Sequence, residues 1–304
     1  MSSSPAAEIE VDLPLVRSLL RAQMPELAAA KIKIVAQGWD NVMVRLGESH
    51  ALRLPRRRVA EPLILHEQRW LSELAPHLPL AVPVPTLIGV PQADYPFHWS
   101  LQHWLPGRAA DLAPPRADQA GVLAKFLLAL QAIPLPDNAP QNSHRGVALA
   151  ALDAQVSTRL ARLSGVSLAA LHDIWRAGVA ARPASHSVWL AADIHARNVL
   201  VDAAGALTAM IDWGDMCAGD PAVDLASVWH LLPTREARNA ALSHFGADAA
   251  LINRAKAWAV HIGAILLETG LRDTPRHAEM GRRVLARVLE DQGSFASQEN
   301  GRSR

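Results

Sequence analysis

Asp193-Ile-His-Ala-Arg-Asn198, continued by Val199-Leu-Val-Asp-Ala-Ala-Gly-Ala-Leu-Thr-Ala-Met-Ile211 and closed by Asp212-Trp-Gly-Asp215, is the stretch that decides the fold. An Asp and an Asn lie five apart. Two short apolar segments follow, split by Asp202-Ala-Ala-Gly205, and the second ends on Asp212. Segments joined by so short a Gly-containing turn pair as a hairpin. Asn198 and Asp212 then meet at its open end. An amide oxygen beside a carboxylate oxygen suits Mg2+, which takes hard oxygen ligands and lets phosphates and water complete its shell. Asp193 stands where phosphoryl transfer needs a base to orient a hydroxyl and receive its proton.

Before this stretch the pattern changes period. Asp12 and Pro14 precede apolar residues at helical spacing, so a helix is expected over 13–28. Ile32 and Ile34, then Val42, Val44 and Leu46, then Leu52 and Leu54 alternate with polar or longer residues and predict three strands. A helix near 61–75 and strands near 86–90 and 98–104 follow. Leu105-Pro-Gly107 marks a boundary, beyond which helical patterns run over 116–132, 150–180 and 222–291. A β-rich first third before a helical remainder is an α+β chain with two lobes. The divisions expected are residues 1–105, 106–292 and a loose tail over 293–304.

Two features of the first lobe bear on chemistry. Arg53 lies mid-strand, and Glu67 shares an apolar helix face with Ile64, Leu71 and Leu74. A carboxylate on such a stripe needs a cation, and Arg53 is the obvious partner. Gln37-Gly-Trp-Asp-Asn41 joins two predicted strands and could donate backbone N–H groups to phosphates, although no Walker-type phosphate loop occurs anywhere.

Half the residues are apolar, and the formal charge of +1 favours neither nucleic acid nor an anionic membrane as partner. One cysteine, Cys217, cannot form an intrachain disulfide, and the N-terminus lacks the features of a signal peptide. Both fit a cytoplasmic protein. The longest apolar run, 257–267, falls short of a membrane span and contains His261. Monomer and homodimer fit equally well.

The chain resembles the aminoglycoside phosphotransferase family of the protein-kinase-like superfamily. The resemblance is carried by Gly38-Trp-Asp-Asn41, Leu52-Arg-Leu-Pro55, His66-Glu-Gln-Arg-Trp-Leu71, Trp104-Leu-Pro-Gly107, Asp193-Ile-His195 with Asn198, and Ile211-Asp-Trp-Gly-Asp215 with Gly219-Asp-Pro-Ala-Val-Asp224. It covers about residues 30–290 and implies a bilobal kinase-like fold, nucleotide between the lobes, and Mg2+ on Asn198 and Asp212. It further implies transfer from ATP or GTP to a hydroxyl of a small molecule, aminoglycosides and other antibiotics being the first candidates. Gly38, Trp39, Asn41, Arg53 and Glu67 would face the phosphates, and Gln102, His103 and Trp104 the purine. Asp215 and Glu268, with Asp273 and Asp224, are the carboxylates available to a cationic acceptor.

One departure stands out. The family has His-Gly directly before the catalytic Asp, where this chain has Ala191-Ala192. Loss of the imidazole removes polar support for the loop, and Ala restricts a backbone that Gly would leave free. A degenerate nucleotide-binding pseudokinase therefore stands as one alternative, and a small-metabolite kinase, independent of this departure, as another.

Overall fold

The computed structural model describes residues 6–164, 166–272 and 274–292, so the expected loose tail over 293–304 and the candidate Asp273 lie outside the described residues. Helix α1 (Leu13–Gln23) starts where Asp12 accepts the Leu15 N–H at 2.8 Å, with Pro14 in the first turn. It stops earlier than the expected 28. Met24 leaves the helical region, and Pro25, which has no N–H to continue the ladder, opens a short 3-10 turn.

Strands β1 (Ile32–Gln37), β2 (Asn41–Leu46), β3 (His50–Pro55), β4 (Pro85–Gly89) and β5 (Trp99–His103) form one antiparallel sheet in the order β1-β2-β3-β5-β4. In β2 the alternation read from sequence is the alternation of burial, with Val42, Val44 and Leu46 turned into a core that also receives Val16, Leu19 and Leu20 of α1, whereas β3 is buried on both faces from Ala51 to Pro55. The order makes β3 central. Arg53 is consequently flanked by Met43 on β2 and Ser100 on β5 and is only 7% exposed. Helix α2 (Glu61–Leu74) lies beside this sheet, but its Trp70, Leu71 and Leu74 pack into the second, larger core. It thereby ties the sheet to the helical lobe.

That second core is built mainly from α3 (Ala120–Ala132), α4 (Asp153–Leu160), α5 (Leu168–Ala180), α6 (Ala222–Leu225), α7 (Ser227–Leu231), α8 (Arg235–Phe245), α9 (Ala249–Arg272) and α10 (Pro275–Glu290). The single pattern read over 150–180 is two helices. Five short strands accompany them. β6 (Arg108–Ala109) pairs with β8 (Val199–Val201), which pairs with β9 (Leu207–Met210), while β7 (Val188–Leu190) pairs with β10 (Cys217–Gly219). β6, β7 and β10 are too short to show alternation, which is why sequence reading passes over them. Helix α9 is longer than the 257–267 run suggested. By length and composition alone it could cross a membrane, but here it is the core helix against which α5, α6 and α10 pack.

Candidate active site

The β8–β9 hairpin closes as its sequence requires. Gly205 takes φ 79, and Asp202 Oδ1 accepts the N–H groups of Ala204 and Ala206 at 2.9 and 2.8 Å. At the open end the Ile211 N–H donates to the Asn198 carbonyl at 2.8 Å, which brings Asn198 and Asp212 to one place. Asp212 itself adopts φ 64, a left-handed conformation that Asp tolerates better than most side chains.

Asp193 sits on the loop leading from β7 into β8. Asn198 Nδ2 donates to its carbonyl at 3.0 Å and to its Oδ2 at 3.1 Å, so the amide nitrogen faces the Asp193 carboxylate and Oδ1 points the other way. His195 turns Nε2 to within 3.6 Å of the same carboxylate, and its Nδ1 accepts the Arg197 N–H at 3.3 Å, which makes it an orienting member of the loop. Arg145 reaches in from the segment before α4 and donates to Asp193 Oδ1 at 3.3 Å. Burial works against the charge of Asp193, but His195 and Arg145 outweigh it and hold the carboxyl below its ordinary value. Its neighbour Asp215 behaves oppositely: burial and the charge of Asp193 raise its carboxyl, against the pull of Arg145 and of the Asn142 amide at 2.9 Å.

Asn142 and Arg145 are members that sequence reasoning did not single out. Asn142 Oδ1 accepts the N–H groups of His144 and Arg145 at 2.9 and 3.0 Å, forming the turn that aims Arg145 at Asp193. The only signal was a polar Asn-Ser-His-Arg run after a Pro-rich segment, and no spacing connects it to a residue 48 positions away.

Ala191 and Ala192 keep the loop geometry by other means. Their N–H groups both donate to Asp224, at 2.8 Å each, and Asp224 is 1% exposed. Ala192 takes φ 66, the left-handed region where a glycine would sit without strain. Asp224 thus fixes the loop and is not free for a cationic acceptor, which corrects that expectation, while Asp220 caps Ala222 and pairs with Arg254 at 2.6 Å.

The first lobe is joined to this loop through Arg53. Its Nε lies 2.9 Å from Glu67 Oε2, as expected, and its Nη2 lies 2.6 Å from Asp212 Oδ1. Glu67 Oε1 accepts the Trp213 N–H at 2.9 Å. Burial opposes the Arg53 charge, yet Asp212 and Glu67 more than compensate and keep it a firm cation.

The remaining candidates are placed less uniformly. The Gly38 N–H is already donated to the Asn41 carbonyl at 2.8 Å, so Gly38 closes the β1–β2 turn and does not offer its amide to a phosphate. Asn41 keeps a buried Oδ1 without a partner among the described residues. Trp39, at the tip, crosses to α10 and meets the His277 ring edge-on at 6.5 Å. His103 and Trp104 turn their rings onto His50 and Arg45. The Trp104 N–H is bound to the Ser49 carbonyl at 2.8 Å, which corrects the expectation that this amide is available to a purine. Gln102 Oε1 is buried without a partner among the described residues. Glu268 also needs correction as a carboxylate for a cationic acceptor. Arg159, Arg162 and Arg272 surround it at 2.8, 3.2 and 3.3 Å and satisfy its charge.

Beside Asp193 a cleft of about 210 Å³ is lined by His144, Arg145, Gln155, Asp215, His261 and Ile265. His261 and Ile265 bring α9 to this cleft.

A family model described as the phosphotransferase enzyme family matches residues 31–259. No curated protein matches the chain in sequence. Among solved structures, a GDP and kanamycin complex of APH(2")-IIia superposes with TM-score 0.69 at 15% identity, covering 92% of this chain and 100% of that one. A streptomycin-ATP ternary complex of APH(2")-IIa gives 0.59 at 16% identity, covering 87% and 93%. The macrolide 2'-phosphotransferase MphH from Brachybacterium faecium, as apoenzyme, gives 0.60 at 22% identity, covering 91% and 98%. These likenesses identify the fold as the bilobal kinase-like one.

Proposed function

The chain belongs to the phosphotransferase enzyme family, and from that premise we propose that it moves the γ-phosphoryl group of ATP or GTP, with Mg2+, onto a hydroxyl of a small molecule. The observation that carries this reading is the convergence of Asp193, Asn198 and Asp212 on one end of the β8–β9 hairpin, with Asp212 tied to the first lobe by Arg53. Nucleotides and hydroxyl-rich antibiotics in the complexes of similar folds support it.

The donor set fits magnesium. Asn198 Oδ1 and Asp212 are hard oxygens, and among the described residues no group of three His, Cys, Asp or Glu side chains forms a closed cage. A site with one or two protein ligands and room for phosphates is what Mg2+ uses. Mg2+ bound there would neutralise charge developing on the β- and γ-phosphates. Asp193 orients the acceptor hydroxyl and takes its proton. Asn198 fixes the Asp193 carboxylate, and Arg53 brings a cation to the phosphate side of the cleft. Two carboxylates, Asp193 and Asp215, lie on the acceptor side, the first as base and the second as a contact to substrate.

The pseudokinase alternative draws on Ala191-Ala192. The hold of Asp224 on both of their amides favours the enzyme. The decisive experiment follows ADP or GDP release with Mg2+ across a panel of hydroxylated acceptors. The expected result is acceptor-stimulated turnover that falls by about 10²–10⁴ in Asp193→Asn, the range for a lost general base, with nucleotide affinity nearly unchanged. Full activity in that variant would dismiss Asp193 as the base, and tight nucleotide binding without transfer to any acceptor would favour the pseudokinase.

A further inference from the structure

The walls of the acceptor cleft carry less available negative charge than a polyamine requires. On α9, residues 261, 265 and 268 fall at helical offsets of four and three and share a face. On α4, residues 155 and 159 do the same. His261, Ile265 and Gln155 line the cleft, so Glu268 and Arg159 continue its two walls by one turn. There they meet, Arg159 Nε lying 2.8 Å from Glu268 Oε2. Arg162 and Arg272 bind the other carboxylate oxygen, and the Glu268 side chain is 13% exposed. The acid that this face of α9 could have offered to an ammonium group is enclosed by three guanidinium groups.

The other carboxylates nearby are also engaged. Asp224 faces two backbone amides, Asp220 faces Arg254, and Asp215 Oδ1 accepts from Asn142. The deep wall sets Arg145 beside Asp215 and buries a histidine. His261 is 2% exposed, lines the cleft, and has an Nδ1 without a partner among the described residues. Burial, together with Arg145, Arg159 and His144, pushes its imidazole down to about 3, which leaves it a neutral hydrogen-bonding group in a positive field. Arg145 adds a guanidinium whose buried Nε has no partner among the described residues.

We propose that the acceptor is a hydroxyl compound with no more than one cationic centre, bound through its carbonyl, ether or hydroxyl oxygens by Arg145, Gln155 and His261, and that the Arg159–Glu268 pair is a specificity determinant that turns polyamines away. The inference rests on the cleft being the acceptor site of the proposed transferase. Its physical basis is that several ammonium groups entering a partly dry cleft would face Arg145 and Arg159 with only Asp193 and Asp215 to balance them.

The test compares kanamycin, a polyamine, with a macrolide carrying one amine. Calorimetric affinity and phosphoryl transfer are measured for the full chain at low salt. Wild-type protein is expected to bind the macrolide at least about tenfold more tightly than kanamycin. Arg159→Gln with Arg162→Gln releases Glu268 and is expected to strengthen kanamycin binding about tenfold or more, with macrolide binding changed less than twofold. Adding Glu268→Gln to that variant is expected to erase the gain. If the double variant does not fold, Arg162→Gln with Arg272→Gln serves, since both side chains are more than half exposed. If neither compound binds wild-type protein, appearance of kanamycin binding in the variant supports the proposal. Absence of that gain, or wild-type affinity for kanamycin equal to or above that for the macrolide, overturns it. Wild-type transfer to kanamycin at the higher rate overturns the charge limit and leaves the phosphotransferase reading intact. Binding in the expected charge order with no transfer to any acceptor does the reverse.

Discussion

Asp224 accepts the backbone N–H of Ala192 at 2.8 Å while Ala192 stands at φ 66, so a buried carboxylate holds an alanine in a conformation its side chain resists. An L-residue pays about 1–2 kcal/mol for this region, whereas glycine enters it freely but adds about 0.5–1 kcal/mol of unfolded-chain entropy. Ala192→Gly is therefore expected to be neutral to about 1 kcal/mol stabilising by urea denaturation, with transfer rate retained or raised. Asp224→Ala leaves two buried amides without acceptors, at about 1–3 kcal/mol each, and is expected to destabilise the loop and abolish turnover. A clear loss of stability in Ala192→Gly would contradict the strain assigned to this residue.

Arg53 bridges Glu67 and Asp212 with two different nitrogens, which one ammonium group cannot reproduce in the same geometry. Arg53→Lys is expected to fold and to raise the KM for nucleotide about tenfold, corresponding to about 1.4 kcal/mol. Arg53→Ala strips a cation from Glu67, which is 1% exposed, and is expected to cost about 3–5 kcal/mol of stability. Nucleotide KM unchanged in the lysine variant would remove Arg53 from the phosphate side of the site.

Sequence reading recovers the features that depend on short-range pattern. Asp12 before Pro14, the alternation through Val42, Val44 and Leu46, and the Asp202–Gly205 turn each fix their own element, and each is found where expected. The pairing of Arg53 with Glu67 was legible because a carboxylate on an apolar face has few partners to choose from. The features that escaped reading depend on chain segments brought together only by the tertiary fold. Arg145 reaches Asp193 across 48 residues, and Arg159 neutralises Glu268 across 109. The positive φ of Ala192 also has no local cause. It accompanies the bond to Asp224, 32 residues on.

Asn198 donates its amide nitrogen to Asp193, and the proposed transfer gives its oxygen a second, separable duty as a ligand of Mg2+. Asn198→Ala removes both and is expected to slow transfer by about 10²-fold and raise the Mg2+ concentration for half-maximal rate by about tenfold, in the range seen when a ligand or its support is lost. Asn198→Asp keeps an oxygen but sets a second carboxylate against Asp193. It is expected to restore most of the Mg2+ affinity without restoring the rate. Equal Mg2+ dependence in all three proteins would place the metal elsewhere.

His230 supplies a pH dependence whose sign can be worked out. It is 4% exposed, neither ring nitrogen has a partner among the described residues, and it borders a void of about 20 Å³ with Asp111 and Arg287. Burial pushes its imidazole down to about 3. His195, Arg287 and Arg145 add to the shift, and Asp193 opposes it. A depressed histidine is neutral in the fold, so its contribution is complete above the unfolded value of about 6.5 and is lost as pH falls toward 3. In that window the unfolded chain binds a proton that the folded chain refuses, and stability falls by about 1.4 kcal/mol per pH unit for this one group. His230→Leu removes the proton without breaking a protein hydrogen bond. It is expected to be nearly neutral at pH 7 and to flatten the decline in urea-unfolding free energy by about one proton's slope between pH 6 and 5. Parallel stability curves for the two proteins across that interval would mean that His230 is not the neutral buried group its surroundings require.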